Sequence, residues 1–276
     1  MVSIFALLFY HMEIIAYLAC ALIGISLGLI GGGGSILTVP VLVYLFGISP
    51  MLATSYSLFI VGTTSLAGVY SNFRKGLVNF RIALLFGITS ITTVFIIRKF
   101  VLPALPVHFF YLGGFEVTQS NTTLLLFAIL MIIASISMIS NGKSQERKTG
   151  PNPPSSFAKL FFYGIAIGVV TGLLGAGGGF LLIPTLVVLV GLPMKEAVGT
   201  SLLIIALNSL IGFTGDIAHF AIDWTFLFKI TAISVLGIIA GGGIGSYISG
   251  VKLKKAFGWF VLVMGIYILV RELYHH

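Results

Sequence analysis

Long apolar segments alternate with short polar stretches along the whole chain. Apolar segments cover approximately 4–29, 36–46, 52–71, 80–101 and 122–140, and a second set covers approximately 157–174, 180–190, 196–215, 224–249 and 253–271. Several of them reach or approach the roughly 20 residues that a helix needs to cross a bilayer. The pattern predicts an all-α polytopic membrane protein.

The ten segments fall into two halves of five that repeat each other. The stretch 141–156 between them is polar and rich in proline, which is typical of a solvated linker, so the chain divides into 1–140, 141–156 and 157–276. Equivalent positions of the two halves are 144 residues apart, as in Gly28 and Gly172, Pro40 and Pro184, Gly47 and Gly191, Ala53 and Ala197, and Ser57 and Ser201. Such a long register indicates an internal repeat.

Composition supports the membrane assignment and excludes other classes. Hydrophobic residues make up 58% of the chain and charged residues only 8%, whereas soluble domains contain about 25% charged residues. The net charge of +8 comes from basic residues scattered through short gaps, which is typical of topology determinants and does not indicate nucleic-acid binding. We therefore expect a lipid bilayer around the chain and no nucleic-acid partner.

Charge also predicts how the halves are oriented. The loop 72–81 carries Arg74, Lys75 and Arg81, whereas the equivalent loop 216–223 carries two aspartates and no lysine or arginine. Since positive loops stay in the cytoplasm, the halves are predicted to be inverted repeats with a cytoplasmic linker and both termini outside. This topology leaves four basic residues on the outer side, namely Arg98, Lys99, Lys229 and Arg271.

Each half has a glycine-rich break before a short apolar segment. The segments 36–46 and 180–190 follow "GGGGS" and "GAGGG", and as helices they span about half of the hydrocarbon thickness. Pro40 and Pro184 are expected in or near the first helical turn, where a missing amide costs least. Non-helical backbone at membrane depth is tolerated where it is buried in protein or lines a cavity. The breaks therefore indicate a cavity.

Helix N-termini bind anions through free amides and the helix dipole. We predict two related anion cradles, with left-handed backbone at Gly33 and Gly178; the alternative is that the glycines permit only tight turns and close packing. The predicted cradle residues are Gly31, Gly32, Gly33, Gly34 and Ser35 in the first break, and Gly175, Ala176, Gly177, Gly178 and Gly179 in the second.

Polar side chains recur on the helix that follows each break. Matched pairs could complete the ligand shell of the anion, namely Ser57 with Ser201, Thr64 with Asn208 and Ser65 with Ser209. The alternative is that their own helix backbone satisfies these groups. No lysine or arginine is expected in mid-membrane, so the anion would depend on amides and hydroxyls.

Other candidate groups give weaker signals. Asp216, Glu196 and Glu13 are the candidates for proton coupling, but each lies near a segment end, where solvation at the interface is the favoured interpretation. Cys20, Gly24 and Gly28 have the four-residue spacing of a close helix contact, and a reactive thiol is the lesser alternative for Cys20. The sequence predicts no metal site, no cofactor and no catalytic residue, and no nucleotide-binding motif is present.

The doubled glycine motif resembles a known family. "GLIGGGGSILTVPVL" and "GLLGAGGGFLLIPTL", each followed by A-x-x-x-S-L at 53–58 and 197–202, resemble the TauE/SafE sulfite exporters, also described as toluene-sulfonate uptake permeases. The resemblance covers nearly the whole chain. It implies a secondary transporter of sulfite or related organosulfonates, and leaves the direction of transport open.

The combined prediction is a multi-pass protein of the cell (inner) membrane that carries a small sulfur-containing anion by alternating access. It is not expected to be an enzyme, because the five histidines lie near segment ends or outside the spans. A passive anion channel is the nearest alternative, and an intramembrane enzyme is a more distant one. Coupling to a proton or another ion and assembly into a homo-oligomer both remain open.

Overall fold

The computed structural model describes residues 2–106, 108–112, 115–140, 157–188, 190–244 and 250–274. The linker 141–156 lies outside these residues. In the first half the helices are α1 (Val2–Ile30), α2 (Thr38–Tyr44) after a 3₁₀ turn (Gly32–Leu37), α3 (Pro50–Arg74), α4 (Phe80–Ile96), a π-helical turn (Ile97–Val101), α5 (Leu102–Ala104) and α6 (Gln119–Ser140). In the second half they are α7 (Phe157–Leu174), α8 (Gly179–Val188), α9 (Met194–Asp216), α10 (Trp224–Ile244) and α11 (Gly250–Tyr274).

The predicted helical membrane protein is confirmed in its main features. Among the described residues, 6 helices are long and apolar enough to cross a membrane, and three shorter apolar helices cover Ile15–Ile30, Gly32–Tyr44 and Leu160–Leu174. Large apolar side chains are exposed along the outer helices, including Leu22, Leu84, Leu236 and Phe260. Such a surface is stable only against lipid, because in water it would be a large uncovered apolar patch.

A short hairpin in the first half was not predicted. Strands β1 (His108–Leu112) and β2 (Phe115–Thr118) pair antiparallel between α5 and α6. In the second half the corresponding helices are α10, which ends at Ile244, and α11, which begins at Gly250. An offset of 144 would place the counterpart of α6 at 263–284, whereas α11 is Gly250–Tyr274, so the hairpin accounts for the shifted register of the last helix.

The repeat extends to individual hydrogen bonds. The Asn79 side chain caps α4 by accepting from the Ile82 amide at 3.2 Å, and Asp223 caps α10 in the same way through the Phe226 amide at 3.0 Å. The backbone amide of each capping residue donates to a hydroxyl of the other half, Asn79 to Thr200 and Asp223 to Tyr56. All of these positions are 144 residues apart, so the two halves repeat each other in bonding as well as in sequence.

Helix contacts between the halves also follow the repeat. α1 packs on α10, and their counterparts α7 and α4 pack on each other. Small residues make this possible, since added methyl groups on Gly24 and Gly28 would collide with the α10 backbone, and one on Gly168 would meet Thr93 of α4. Cys20 is buried at the same contact, where its carbonyl accepts from Ser234 at 3.3 Å. This geometry favours the packing interpretation of these residues.

Equivalent helices run antiparallel where they meet. A methyl group on Gly62 of α3 would touch Leu210 of α9, whereas one on Gly68, further along α3, would touch Leu202. The same reversal holds between α6 and α11, because Gly258 faces Met138 and Gly265 faces Met131. An inverted repeat requires this arrangement, and the orientation across a membrane stays a prediction.

The two proline positions differ between the halves. Pro40 lies in the first turn of α2, as predicted. For Pro184 the prediction is less accurate, because α8 begins at Gly179 and Pro184 lies inside it. The reason is that the first break continues as a 3₁₀ turn, whereas in the second the α-helix starts directly at the last glycine.

Cysteine labelling tests the opposite orientation of the halves. Lys75 and Ala218 are exposed and lie in the two equivalent loops, and the native Cys20 is buried. We expect an impermeant maleimide on intact cells to label Ala218→Cys but not Lys75→Cys, with both labelled after permeabilisation. Labelling of both sites in intact cells would contradict the inverted topology.

Candidate functional site

The two glycine-rich breaks meet inside the protein. A methyl group on Gly32 would collide with the Cα atom of Gly179, and one on Gly179 would collide with the backbone of Gly32. Gly32, Gly33, Gly34, Ser35, Ala176 and their neighbours in both breaks are buried. Segments far apart in the chain thus touch through their backbones, and only glycine permits this approach.

Left-handed backbone occurs in both breaks, though not at every predicted position. The φ angles are 75° at Gly31, 67° at Gly175, 67° at Gly177 and 68° at Gly178. The expectation for Gly33 is wrong, because this residue lies in the 3₁₀ turn, where a right-handed conformation continues from Gly32 to Leu37. Gly31 makes the reversal instead.

The second break has free amides. Gly175 donates its amide to Thr171 at 2.9 Å, and Leu181 and Leu182 donate to the Gly178 carbonyl at 3.0 and 3.1 Å. Between them, the amides of 176–178 have no acceptor in the described part of the chain. Consecutive amides beside left-handed residues form the concavities that bind anions elsewhere. The ten-residue α8 follows them, so its dipole also favours a negative charge.

Five of the six predicted polar side chains are buried and carry an atom without a hydrogen-bond partner. Within the described residues, no partner is present for the hydroxyls of Ser57, Thr64, Ser65 and Ser209 or for the Asn208 Oδ1. Asn208 uses its amide nitrogen to donate to the Ser90 hydroxyl at 2.6 Å. Unpaired buried polar atoms are uncommon in proteins, so this concentration is typical of a site that binds a polar ligand or water.

Ser201 behaves differently from its counterpart Ser57. Its hydroxyl donates to the Val198 carbonyl of its own helix at 2.9 Å. For Ser201 the geometry therefore favours the alternative interpretation, in which the backbone of its own helix accepts the hydroxyl hydrogen bond. Ser35 is likewise occupied, since its hydroxyl donates to the Gly32 carbonyl at 2.8 Å.

α3 and α9 position these side chains against the breaks. A methyl group on Gly177 would lie 2.9 Å from Val61, 3.0 Å from Ile205 and 3.1 Å from the Ser209 hydroxyl. Thr54 of α3 contacts Gly175, and Ser57 lies one helical turn from both Thr54 and Val61, so it is on the same face. Thr54 of α3 and Ser209 of α9 therefore lie beside the second break.

A buried ion pair beside the second break was missed. Arg98 lies in the π-helical turn with its side chain 0% exposed, and its Nη1 donates to the Asp216 carboxylate of α9 at 2.8 Å. Nη1 also donates to the Thr54 hydroxyl at 3.1 Å. A methyl group on Gly175 would lie 2.8 Å from Arg98 Nη2. The sequence predicts Arg98 to be a topology determinant on the outer side, but its side chain is buried inside the protein.

The prediction for Asp216 was also wrong. It was placed at a solvated interface, but only 2% of its side chain is exposed. Glu196 comes closer to that description, since it is partly exposed, while the side chain of Glu13 lies outside the described residues. A signal was present in the sequence, because an arginine within an otherwise apolar segment usually has a function or a partner. The partner was not visible, because it lies in the other half of the chain.

Together the fold and site define a membrane transporter. A bundle of apolar helices encloses broken backbone and unpaired polar groups, which is how transporters hold a solute within the membrane. The sequence matches the family model described as sulfite exporter TauE/SafE over residues 16–268, and the chain belongs to this family. Membership confirms the predicted resemblance. It also confirms that the protein is a transporter and not an enzyme. It implies a small anion as the substrate.

Individual relatives agree with this assignment. The chain is 29% identical over 264 residues to a "Probable membrane transporter protein" of Xylella fastidiosa, covering 91% of this chain and 92% of the relative. It is 28% identical over 250 residues to "Probable membrane transporter protein YdhB" of Bacillus subtilis, covering 90% and 96%. No solved structure matches the chain significantly.

Proposed function

We propose that the protein carries a small sulfur-containing oxyanion, such as sulfite or an organosulfonate, across the cell (inner) membrane by alternating access. The anion binds at the second break, against the first break and the facing sides of α3 and α9. The observation that carries the proposal is the set of three free amides at 176–178, next to buried hydroxyls that lack partners. The family description supports sulfite as the first substrate to test.

The chemistry of the site suits an oxyanion. Amides and hydroxyls donate hydrogen bonds to several oxygen atoms of one ligand, and such bonds to a charged group are stronger than those between neutral groups. Their net charge is zero, so a site of this kind also releases its ligand readily. The antiparallel relation of α3 and α9 supports alternating access, because the two halves can exchange roles on opposite sides of one site.

Uptake into proteoliposomes tests the substrate class. We expect saturable uptake of sulfite, and sulfate, thiosulfate, taurine and sulfoacetate should be compared, each with and without a pH gradient. Empty liposomes are the control. Flux that does not saturate, at rates far above carrier turnover, would instead indicate a channel, and no uptake of any sulfur anion would contradict the proposal.

Replacing the unpaired hydroxyls should weaken substrate binding. Ser57→Ala and Ser209→Ala each remove one donor to a charged ligand, worth roughly 1.5 to 3 kcal/mol, so we expect KM to rise about 10- to 100-fold. Ser201→Ala is the matched control, since its hydroxyl already bonds to Val198 and its burial is the same. Equal KM values in the Ser57 and Ser201 variants would remove Ser57 from the site.

A further inference from the structure

Arg98 has more hydrogen-bonding capacity than the protein uses. Its Nη1 bonds to Asp216 and Thr54. The remaining N–H groups, on Nε and Nη2, have no acceptor among the described residues, although the side chain is fully buried. A buried donor without an acceptor is destabilising, because it has lost its hydrogen bonds to water. An acceptor that arrives from outside the protein would satisfy them.

The free N–H groups lie on one edge of the guanidinium. Nε and Nη2 together form the planar fork that binds two oxygen atoms of a carboxylate, phosphate or similar group at once. Nη2 lies close to Gly175, where the second break begins. The unused fork is thus at the same break as the free amides.

The repeat shows that the fold does not need this ion pair. The counterparts of Arg98 and Asp216 are Gly242 and Asn72, and the counterpart of Thr54 is Val198. Val198 packs against Gly31 where Thr54 packs against Gly175, with an apolar side chain in place of the polar contact. Asn72 donates to the Gly68 carbonyl at 2.9 Å. The equivalent junction at the first break thus carries no charged side chain at these three positions.

Energetics give the same conclusion. A buried ion pair is often no more stabilising than apolar side chains of similar size, because both charges lose their hydration. The backbone around Arg98 is also unusual, because Arg98 lies in a π-helical turn. The equivalent helix of the second half, α10, continues as an α-helix to Ile244. Single π-helical turns occur frequently at functional sites.

We propose that Arg98 is the charged ligand of the transported oxyanion, binding two of its oxygen atoms through Nε and Nη2 beside Gly175, while Asp216 positions the guanidinium through Nη1. The inference rests on the proposed function and extends it. It makes the site asymmetric, because among the described side chains a cation lies beside the second break and none is placed at the first. It also selects anions with at least two oxygen atoms on one centre over spherical anions such as chloride.

Two variants separate the fork from the charge. Arg98→Lys keeps a cation near Asp216 but loses the planar fork, and we expect KM for sulfite to rise at least tenfold. Lys99→Gln is the matched control, because Lys99 is the neighbouring cation on the same turn and is exposed over the rings of Phe95 and Phe100. Its KM should equal that of the wild-type protein. Chloride competition should be affected less than sulfite binding in Arg98→Lys.

The double variant Arg98→Gln with Asp216→Asn controls for misfolding. It removes both charges together, so no unpaired charge is left buried. We expect it to stay folded in detergent, while sulfite no longer raises its melting temperature. Asp216→Asn alone should lower KM, because it keeps an acceptor for Nη1 and removes a negative charge near the anion. Wild-type KM in Arg98→Lys and in the double variant would overturn the role of Arg98 and leave the proposed function intact. Absence of saturable sulfite uptake by the wild-type protein would overturn both.

Discussion

Gly179→Ala should reduce transport at least tenfold. The added methyl group would collide with the Gly32 backbone, and no side chain is there to move aside. Overpacking of a rigid contact costs about 1 to 3 kcal/mol even where neighbours can adjust, so the two breaks must separate. Initial rates of uptake, normalised to the amount of reconstituted protein, measure the effect.

Gly242→Ala is the control for this substitution. Gly242 also lies in a helix, and a methyl group there would meet no atom of the described residues within 4 Å. Alanine is favoured over glycine within a helix, so this variant should transport normally with equal or higher stability. If Gly179→Ala transported as well as Gly242→Ala, the close approach of the breaks would not matter for transport.

Arg98→Ala should be the most destabilising single change in the polar part of the protein. It leaves Asp216 buried without its cation, and breaking a buried pair in this way typically costs about 3 to 5 kcal/mol. Arg98→Met with Asp216→Asn removes both charges and should recover most of the loss. Melting temperatures in detergent, without added anion, measure the comparison.

Recovery in the double variant is the informative part of this prediction. If Arg98→Ala and the double variant were equally unstable, the lost packing of the long arginine side chain would explain the result. If neither lost stability, the pair would not be buried in the protein in detergent.

The sequence predicted the framework of the site well. The repeated spacing from Gly28 to Ser57 predicted the two halves and both breaks. These features depend on short stretches of sequence, and each stretch occurs in both halves. That the breaks contact each other through Gly32 and Gly179 agrees with the idea of a shared site. Their role in binding an anion remains a prediction.

Features that have no counterpart in the repeat were harder to predict. The pairing of Arg98 with Asp216 joins α9 to the end of the α4 segment, and no counterpart in the repeat marks it. A basic residue near a segment end resembles a topology determinant until its burial is known. Likewise Ser57 and Ser201 are equivalent in sequence, and only the geometry distinguishes a free hydroxyl from one that bonds to Val198.

The exchange of caps and helix contacts between the halves has a consequence for biogenesis. α1 rests on α10 and α4 rests on α7, and the amide at the start of α4 bonds to Thr200. When the ribosome has made only the first half, the face of α1 that contains Gly24 and Gly28 has no helix to pack against, because α10 has not been synthesised. We therefore expect the first half to reach its final packing only after α7 to α10 have been synthesised. We also expect the two halves to unfold together as one cooperative unit rather than as two domains in series.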